Sequence, residues 1–308
     1  MPPAEFDLIY RYFSHLGAGD GVDLSVGDDC ALLRLGADER LATSVDTLLP
    51  GVHFPADTFP EDIAFRAVAT AASDLAAMGA RPLGMTIALT LADADALFLH
   101  SFSEGLAQAV SAFELPLIGG DTTRGPLSVS VQVLGALPLD QALTRAGAKP
   151  GDRLCVSGTL GDAAAGLAVL EGQWTPDPAH AEYVLARFLR PTPRVSLGRE
   201  LLGLATAAID VSDGLLADAG HLAGASGLRL VLEAGNVPLS AAVASHPDPQ
   251  WRLRAALAGG DDYELCFTLP SDVPVPAGCT SIGVAAPGEG VEIDVPIDFA
   301  GGYQHFSE

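Results

Sequence analysis

Six short acidic segments are spread along the sequence, and their aspartates are the side chains best suited to chemistry. Most of these acids follow a predicted strand or sit beside a glycine turn, the kind of place where α/β folds bind ligands. Aspartate oxygens suit Mg²⁺, which shares its coordination with phosphates and water. Each Gly-Asp pair alone is equally typical of an ordinary turn, and spacing does not prove that the acids converge. The segments are Gly27-Asp28-Asp29-Cys30, Ser44-Val45-Asp46-Thr47, Ser73-Asp74-Leu75, Gly119-Gly120-Asp121-Thr122-Thr123, Asp210-Val211-Ser212-Asp213-Gly214 and Gly259-Gly260-Asp261-Asp262-Tyr263-Glu264.

The basic residues limit how this chain can handle phosphate. The net charge is −23, which argues against a surface for nucleic acid or anionic membranes. Lys149 is the only lysine and lies in a turn, so the sequence has neither a P-loop nor the strand lysine of protein kinases. Any phosphate groups would therefore have to be bound by metal ions and arginine side chains. Arg124 and Arg145 flank the last strand pair of the first half, and His53 lies in a loop after Asp46; a solvated surface role is the alternative for each.

The sequence lacks the motifs of covalent catalysis. It contains no G-x-S-x-G segment, and its four cysteines are far apart without a C-x-x-C pair. The chain could still catalyse a reaction by positioning its substrates and neutralising their charge, and in-line phosphoryl transfer needs little else from a protein. The start of the sequence has no basic and apolar leader pattern, and no apolar stretch is long enough to span a bilayer. We therefore expect a cytoplasmic protein that binds no membrane.

Hydrophobic periodicity predicts the elements that must position these residues in the first half. An amphipathic helix is predicted around Ile9 and Phe13, and longer helices over 62–78 and 94–113. Strands are predicted over 41–45, 85–91, 115–118 and 128–133, with the first of them ending at Asp46.

A turn cluster at Ala148-Lys149-Pro150-Gly151-Asp152 predicts a domain boundary, giving domains at 1–148 and 149–308. Beyond it, strands and helices alternate, so the predicted fold class is α/β (α+β) with two domains. The predicted strands are 154–157, 207–209, 228–232 and 264–269, and the predicted helices are 162–171, 180–189, 196–204, 215–225 and 250–257.

In this order, the acidic segments and their neighbours resemble the thiamine-monophosphate kinase family, which belongs to the aminoimidazole ribonucleotide synthase superfamily. The resemblance runs from Phe6-Asp7-Leu8-Ile9 to Gly302-Tyr303-Gln304-His305-Phe306. It implies an N-terminal mixed sheet that binds ATP and Mg²⁺ and pairs in a homodimer, plus a C-terminal α/β domain that completes the active site. The most telling segments are Gly27-Asp28-Asp29-Cys30-Ala31-Leu32, Ser44-Val45-Asp46-Thr47, Gly51-Val52-His53-Phe54, Ser73-Asp74-Leu75-Ala76-Ala77-Met78-Gly79-Ala80, Leu117-Ile118-Gly119-Gly120-Asp121-Thr122-Thr123-Arg124-Gly125 and Gly260-Asp261-Asp262-Tyr263-Glu264-Leu265.

The resemblance also implies an activity and a set of site residues. The activity is direct transfer of the γ-phosphoryl group of ATP to thiamine monophosphate, giving thiamine diphosphate, with several Mg²⁺ ions. The catalytic aspartates it implies are Asp46, Asp74, Asp121 and Asp210. The implied metal ligands are Asp29, Ser44, Val45, Asp46, Asp74, Asp121, Asp210 and Asp213. The implied ATP contacts are Gly120, Asp121, Arg145 and Ser212, and the implied thiamine monophosphate contacts are His53, Asp261 and Tyr303.

Two positions depart from the family pattern, and two alternative functions stay open. Val45 stands where threonine is common and can offer only its backbone carbonyl, and Asp261 stands where the longer glutamate is common.

The main alternative function is that of another enzyme of the superfamily. Selenophosphate synthetase would have a reactive cysteine beside a lysine near its start, the hydrogenase-maturation relative would end in cysteine, and aminoimidazole ribonucleotide synthase would carry different motifs. The other alternative is a non-catalytic divalent-cation-binding protein, which would leave Arg124 and Arg145 without a role.

Overall fold

The computed structural model describes residues 5–299 and Gly302, and it confirms the α/β class with mixed sheets. The chain divides into two compact units. The first comprises Met1–Leu75 and Ala80–Gln141, and the second comprises Ala76–Gly79 and Ala142–Glu308. No helix within the described ranges is both long enough and apolar enough to cross a bilayer.

The first unit is built on a four-stranded sheet in the order β3-β6-β4-β5. β3 and β4 both run antiparallel to β6, while β4 and β5 are parallel and are connected through the helix α3. A small antiparallel pair, β1 with β2, lies outside this sheet. The elements are α1 (Glu5–Tyr12), β1 (Val22–Leu24), β2 (Leu32–Leu33), β3 (Glu39–Leu48), α2 (Pro60–Met78), β4 (Arg81–Leu91), α3 (Ala96–Phe113), β5 (Leu117–Arg124) and β6 (Ser128–Pro138).

The core of the first unit lies between one face of this sheet and the helices α2 and α3. Alanines make up much of the buried stripe of α2, and small side chains let a second helix approach closely. Gly105 of α3 is the clearest case, because a Cβ there would lie 2.0 Å from the carbonyl oxygen of Glu61. The helices therefore fix the position of the buried strand residues, including those next to the acidic segments.

The opposite face of the sheet is open. Side chains alternate along β3, so Leu41 and Val45 point away from the core and are 48% and 63% exposed. Thr47 of β3 and Ser130 of β6 are hydrogen-bonded at 2.7 Å on this exposed face. We call this surface, built by Leu41, Val45, Thr47 and Ser130, the open face.

The second unit is built on a six-stranded sheet in the order β12-β9-β11-β7-β10-β8. Its neighbouring strands are antiparallel except for β12 with β9. Its elements are β7 (Arg153–Ser157), α4 (Asp162–Leu170), α5 (Pro178–Leu189), α6 (Val195–Leu201), β8 (Ala207–Asp210), α7 (Leu215–Ser226), β9 (Arg229–Leu232), α8 (Ala241–Ala244), α9 (Pro249–Ala258), β10 (Leu265–Leu269), β11 (Cys279–Ala286) and β12 (Gly290–Ile293).

Several predicted strand ends are wrong, and two of these bear on the acidic residues. β3 continues past Asp46 to Leu48, because its ladder with β6 runs on through the pair of Leu48 with Val129. β5 continues past residue 118 to Arg124, since it is held in parallel register beside β4. Asp46 and Asp121 therefore lie inside strands, where the ladder fixes their backbone, whereas Asp210 ends β8 as predicted.

Candidate active site

Three predicted ligands of the first unit meet on the helix-covered side of its sheet. Ser44 and Asp46 are two residues apart on β3 and so share a face, which Asp74 approaches from α2. The Ser44 hydroxyl donates a hydrogen bond to Asp74 Oδ2. Burial, together with the charge of Asp74, raises the pKa of Asp46 to about 6. Two carboxylates that repel each other in a half-buried place are poised to accept a cation.

Val45 takes a different position from its two neighbours. Its side chain lies on the open face, because side chains alternate along a strand. Its side chain therefore lies on the other side of the sheet from Ser44 and Asp46, and the carbonyl role implied for Val45 stays a prediction.

His53 lies in the loop between β3 and α2 and is held at two points. Its Nδ1 accepts the backbone N–H of Leu49 at 3.0 Å, and its carbonyl oxygen accepts Nε of the buried Arg66 at 3.1 Å. Because Nδ1 is an acceptor, the proton of the neutral ring is on Nε2. These two contacts fix the orientation and the tautomer of the ring.

A cavity of about 450 Å³ lies beside β5 in the first unit and is lined by three further predicted residues. Asp29 and its loop form one wall, and Gly120 and Asp121 belong to β5. The remaining wall is largely apolar and comes from α1, its following residues, β4, α3 and β5. These apolar lining residues are Ile9, Phe13, Ile87, Leu89, Leu106, Leu117 and Ile118.

Strand register separates Asp121 from the pair formed by Asp46 and Asp74. Asp46 aligns with Val131 of β6, which is buried, whereas Asp121 aligns with Ala88 of β4 and, through it, with Ser130 on the open face. The structure thus brings Ser44, Asp46 and Asp74 together and places Asp29, Gly120 and Asp121 as a second group around the cavity.

In the second unit, Asp210 ends β8, and the loop from β8 to α7 carries the predicted Ser212 and Asp213 beside a further acid, Asp218. Asp218, buried in the first turn of α7, accepts the backbone N–H groups of residues 212, 213 and 214 through one oxygen, each at 3.1 Å. Burial, with the charges of Asp210 and Asp213, raises its pKa to about 8, and the N–H groups of Asp213 and Gly214 oppose the rise. These hydrogen bonds to Asp218 therefore fix the conformation of the loop that carries Ser212 and Asp213.

The turn between α9 and β10 carries the last acidic segment. The Asp261 N–H donates to the Ser212 carbonyl at 2.8 Å, and the Tyr263 N–H donates to the Val211 carbonyl at 2.9 Å, so this turn is bonded to the β8–α7 loop. Asp262 is buried and accepts the Gly161 and Ala163 N–H groups. Burial raises the pKa of Asp262 to about 8 despite those hydrogen bonds.

The remaining predicted residues fall outside these groups. Arg145 is exposed, and its carbonyl oxygen accepts the Ser226 hydroxyl at 3.0 Å. Arg124 is exposed and donates to the Ala92 carbonyl oxygen at 3.2 Å. Tyr303 lies outside the described residues, so its predicted contact with thiamine monophosphate stays a prediction.

The donor set fits magnesium better than a softer metal. In the part of the chain that the structure describes, no three or more His, Cys, Asp or Glu side chains form a group that could hold a metal ion. Mg²⁺ commonly binds through one or two carboxylates and takes its other oxygens from phosphates and water. The pair Asp46 and Asp74, with the hydroxyl of Ser44 beside it, meets that requirement.

Sequence reasoning missed Asp218 and Tyr263. Asp218 had one local signal, a lone acid in the first turn of a helix that is otherwise rich in leucine and alanine. Tyr263 belongs to a family motif that assigns it no role, yet its hydroxyl donates to Asp261 Oδ1 at 2.9 Å. Contacts of this kind depend on backbone geometry, which a residue pattern does not contain.

The two-unit fold and its acidic strand and loop residues define the class of protein. The family described as "AIR synthase related protein, N-terminal domain" matches residues 27–137, and "AIR synthase related protein, C-terminal domain" matches residues 149–270. The chain belongs to this family of AIR synthase related proteins.

Individual relatives narrow the class further. The thiamine-monophosphate kinase of Escherichia coli K12 is 48% identical over 272 residues, which is 88% of this chain and 84% of that protein. The thiamine-monophosphate kinase of Stenotrophomonas maltophilia K279a has a solved structure with 43% identity and a TM-score of 0.87, covering 96% of this chain and 98% of that one. A structure described as AaThiL complexed with AMPPCP and TMP has 32% identity and a TM-score of 0.81, covering 92% of each chain. Within its class, the chain belongs to the thiamine-monophosphate kinase family.

Proposed function

We propose that this chain phosphorylates thiamine monophosphate with ATP and yields thiamine diphosphate and ADP. The observation that carries the proposal is the carboxylate pair of Asp46 and Asp74, with the Ser44 hydroxyl on Asp74, in a chain 48% identical to a thiamine-monophosphate kinase. The complex of a 32% identical relative with thiamine monophosphate and AMPPCP, an ATP analogue, supports the same pair of substrates.

The reaction joins two phosphates without a covalent enzyme intermediate. An oxygen of the thiamine monophosphate phosphate attacks the γ-phosphorus of ATP, and the bond to the β–γ bridging oxygen breaks, so that ADP leaves with that electron pair. The acceptor phosphate is already ionised near pH 7, so no general base is required. His53 is the proposed contact to the phosphate of thiamine monophosphate, and the hydrogen bond from the Leu49 N–H to its Nδ1 fixes the ring.

Magnesium, when bound, supplies neutralising charge to phosphate groups that an acidic protein with one lysine would otherwise repel. Asp46 and Asp74 are the central proposed ligands, since a bound cation relieves their mutual repulsion. We assign the same role to the other oxygen donors predicted from the sequence. They are Asp29, Ser44, the Val45 carbonyl, Asp121, Asp210 and Asp213.

The cavity beside β5 is the proposed place for part of ATP. Its apolar lining, with Ile87 and Leu89, suits an aromatic base, and its acidic rim, with Asp29 and Asp121, suits metal-bound phosphates. Gly120 is required by the pairing of β5 with β4, because a Cβ there would lie 2.1 Å from the Ile87 carbonyl oxygen. Arg145 and Ser212 are the further proposed ATP contacts, and Asp261 is a proposed contact to thiamine monophosphate.

The open face is the proposed surface for pairing two chains in a homodimer, which we place in the cytoplasm. It exposes Leu41 and Val45 on a regular sheet, a surface that a second copy could cover. Sedimentation equilibrium is expected to give twice the chain mass of 31.5 kDa. Leu41→Glu puts a charge on this face and is expected to shift the protein to monomer, whereas a wild type that sediments as 31.5 kDa would contradict the dimer.

A coupled assay that detects ADP tests the activity itself. With ATP and Mg²⁺, turnover is expected with thiamine monophosphate and not with free thiamine, because the acceptor must supply a phosphate oxygen. The rate is expected to keep rising with Mg²⁺ beyond one ion per ATP, since the carboxylates bind metal in addition to the nucleotide-bound ion. Turnover of thiamine alone, or of neither compound, would contradict the proposal.

A further inference from the structure

The turn from Gly260 to Glu264 has an unusual backbone. Gly260 has φ +69°, and two residues with side chains, Asp261 and Tyr263, have φ +60° and +51°. Positive φ is uncommon outside glycine, and for a bulky residue such as tyrosine it is strained. Such conformations persist only where surrounding structure fixes them, and they cluster at functional sites.

The buried members of this turn supply the fixing contacts. Arg187 of α5 donates to the Asp262 carbonyl oxygen at 3.0 Å and to Glu264 Oε1 at 2.9 Å. Arg194 and the Ser157 hydroxyl also donate to Glu264, whose side chain is fully buried. Gly158 makes room for this carboxylate, because a Cβ there would lie 2.2 Å from Glu264 Oε1. We call this set of Ser157, Arg187, Arg194, Asp262 and Glu264 the clamp.

Asp261 and Tyr263, which alternate with the buried Asp262 and Glu264 of the clamp, contact each other. Because both residues have left-handed backbone, their side chains leave the turn close together, and the Tyr263 hydroxyl donates to Asp261 Oδ1 at 2.9 Å. Tyr263 is 8% exposed, whereas Asp261 is partly accessible. A buried phenol thus fixes the orientation of a carboxylate that solvent, or a ligand, can reach.

We propose that Tyr263 is a positioning residue, which orients the Asp261 carboxylate for binding thiamine monophosphate. This inference rests on the proposed function, in which Asp261 contacts that substrate. A carboxylate repels phosphate and attracts a cation or an N–H donor, so Asp261 faces the thiazolium or aminopyrimidine part of the substrate. A carboxylate already held by the phenol loses less side-chain freedom when the substrate binds.

The test is Tyr263→Phe, which removes one hydroxyl and keeps the ring. Since a hydrogen bond to an ionised group is at stake, KM for thiamine monophosphate is expected to rise about tenfold, with kcat and the KM for ATP nearly unchanged. Tyr12→Phe is the matched control, because Tyr12 is a buried tyrosine of the first unit whose hydroxyl donates to the Ala96 carbonyl oxygen. It is expected to leave KM unchanged. A Tyr263→Phe enzyme with wild-type KM would overturn the proposal.

A double-mutant cycle separates positioning from a general structural effect. Asp261→Gly deletes the carboxylate and accepts the positive φ without strain. In that background Tyr263→Phe is expected to have no further effect on KM, because the group it orients is gone. Equal effects in both backgrounds would overturn the proposal. Failure of the proposed function is recognised separately, since the wild type would then not phosphorylate thiamine monophosphate at all.

Discussion

Asp46→Asn is expected to lower kcat by about a thousandfold and at the same time to stabilise the metal-free protein. Both effects have one origin. Asp46 is a half-buried carboxylate beside Asp74, so its negative charge is unfavourable in the folded protein, and under the proposed function that charge binds a cation. Asparagine has nearly the same shape and keeps the strand pairing of β3, but it does not attract Mg²⁺ in the same way.

The sign of the stability change follows from the pKa. The pKa of Asp46 is raised from 3.8 to about 6, so the folded protein disfavours the ionised form. This cost appears as pH rises from about 4 to about 6 and is fully present at pH 7.5. Asp46→Asn is expected to raise the free energy of unfolding there by about 1–2 kcal/mol, allowing for solvent screening, and to gain nothing at pH 4.

Urea unfolding and the coupled assay measure the two effects on the same samples. Adding Mg²⁺ is expected to raise the melting temperature of the wild type more than that of Asp46→Asn, because only the wild type keeps both carboxylates for the ion. The matched control is Asp140→Asn, which changes an exposed aspartate of the first unit and is expected to alter neither property. An Asp46→Asn enzyme with near-normal turnover would contradict the assignment of Asp46 to the metal.

The contrast between β3 and β11 indicates which parts of the fold a sequence can predict. The strand at β3 and the helices α2 and α3 are found because their apolar residues recur with a regular period. β11 is missed because its residues are mostly small and Gly283 interrupts it. That glycine is required by tertiary structure, since a Cβ there would lie 2.0 Å from the Val231 carbonyl oxygen of β9.

Asp46 and Asp121 illustrate the same limit within the candidate site. Their residue types and motifs mark both as candidate metal ligands, but the sequence treats them as equivalent acids next to strands. Pairing register is what distinguishes them, because it aligns Asp46 with the buried Val131 and Asp121 with Ala88. Register results from the ladder as a whole, and no short segment encodes it.

Asp218 is a residue whose importance depends on backbone contacts, and its removal is expected to have the largest effect on stability. Asp218→Ala leaves three N–H groups of residues 212–214 without their acceptor. The expected loss in the free energy of unfolding is about 2–4 kcal/mol, measured in urea at pH 6. Turnover is expected to fall as well, because Ser212 and Asp213 lie on the loop that these hydrogen bonds shape.

Two further variants, Asp218→Asn and Asp177→Ala, test whether the three hydrogen bonds to Asp218 account for the expected loss of stability. Asn keeps an oxygen acceptor and is neutral without taking up a proton, so it is expected to lose only about 1 kcal/mol at pH 6. Burial and the charges of Asp210 and Asp213 raise the pKa of Asp218 to about 8, so the wild type loses stability as pH rises from about 4 to 8. The difference in free energy of unfolding between the wild type and Asp218→Asn therefore becomes smaller over that range. Asp177 is an exposed N-cap that accepts two N–H groups at the start of α5, and Asp177→Ala is expected to cost about 1 kcal/mol. If Asp218→Ala cost no more than Asp177→Ala, the three hydrogen bonds would not be what holds the loop.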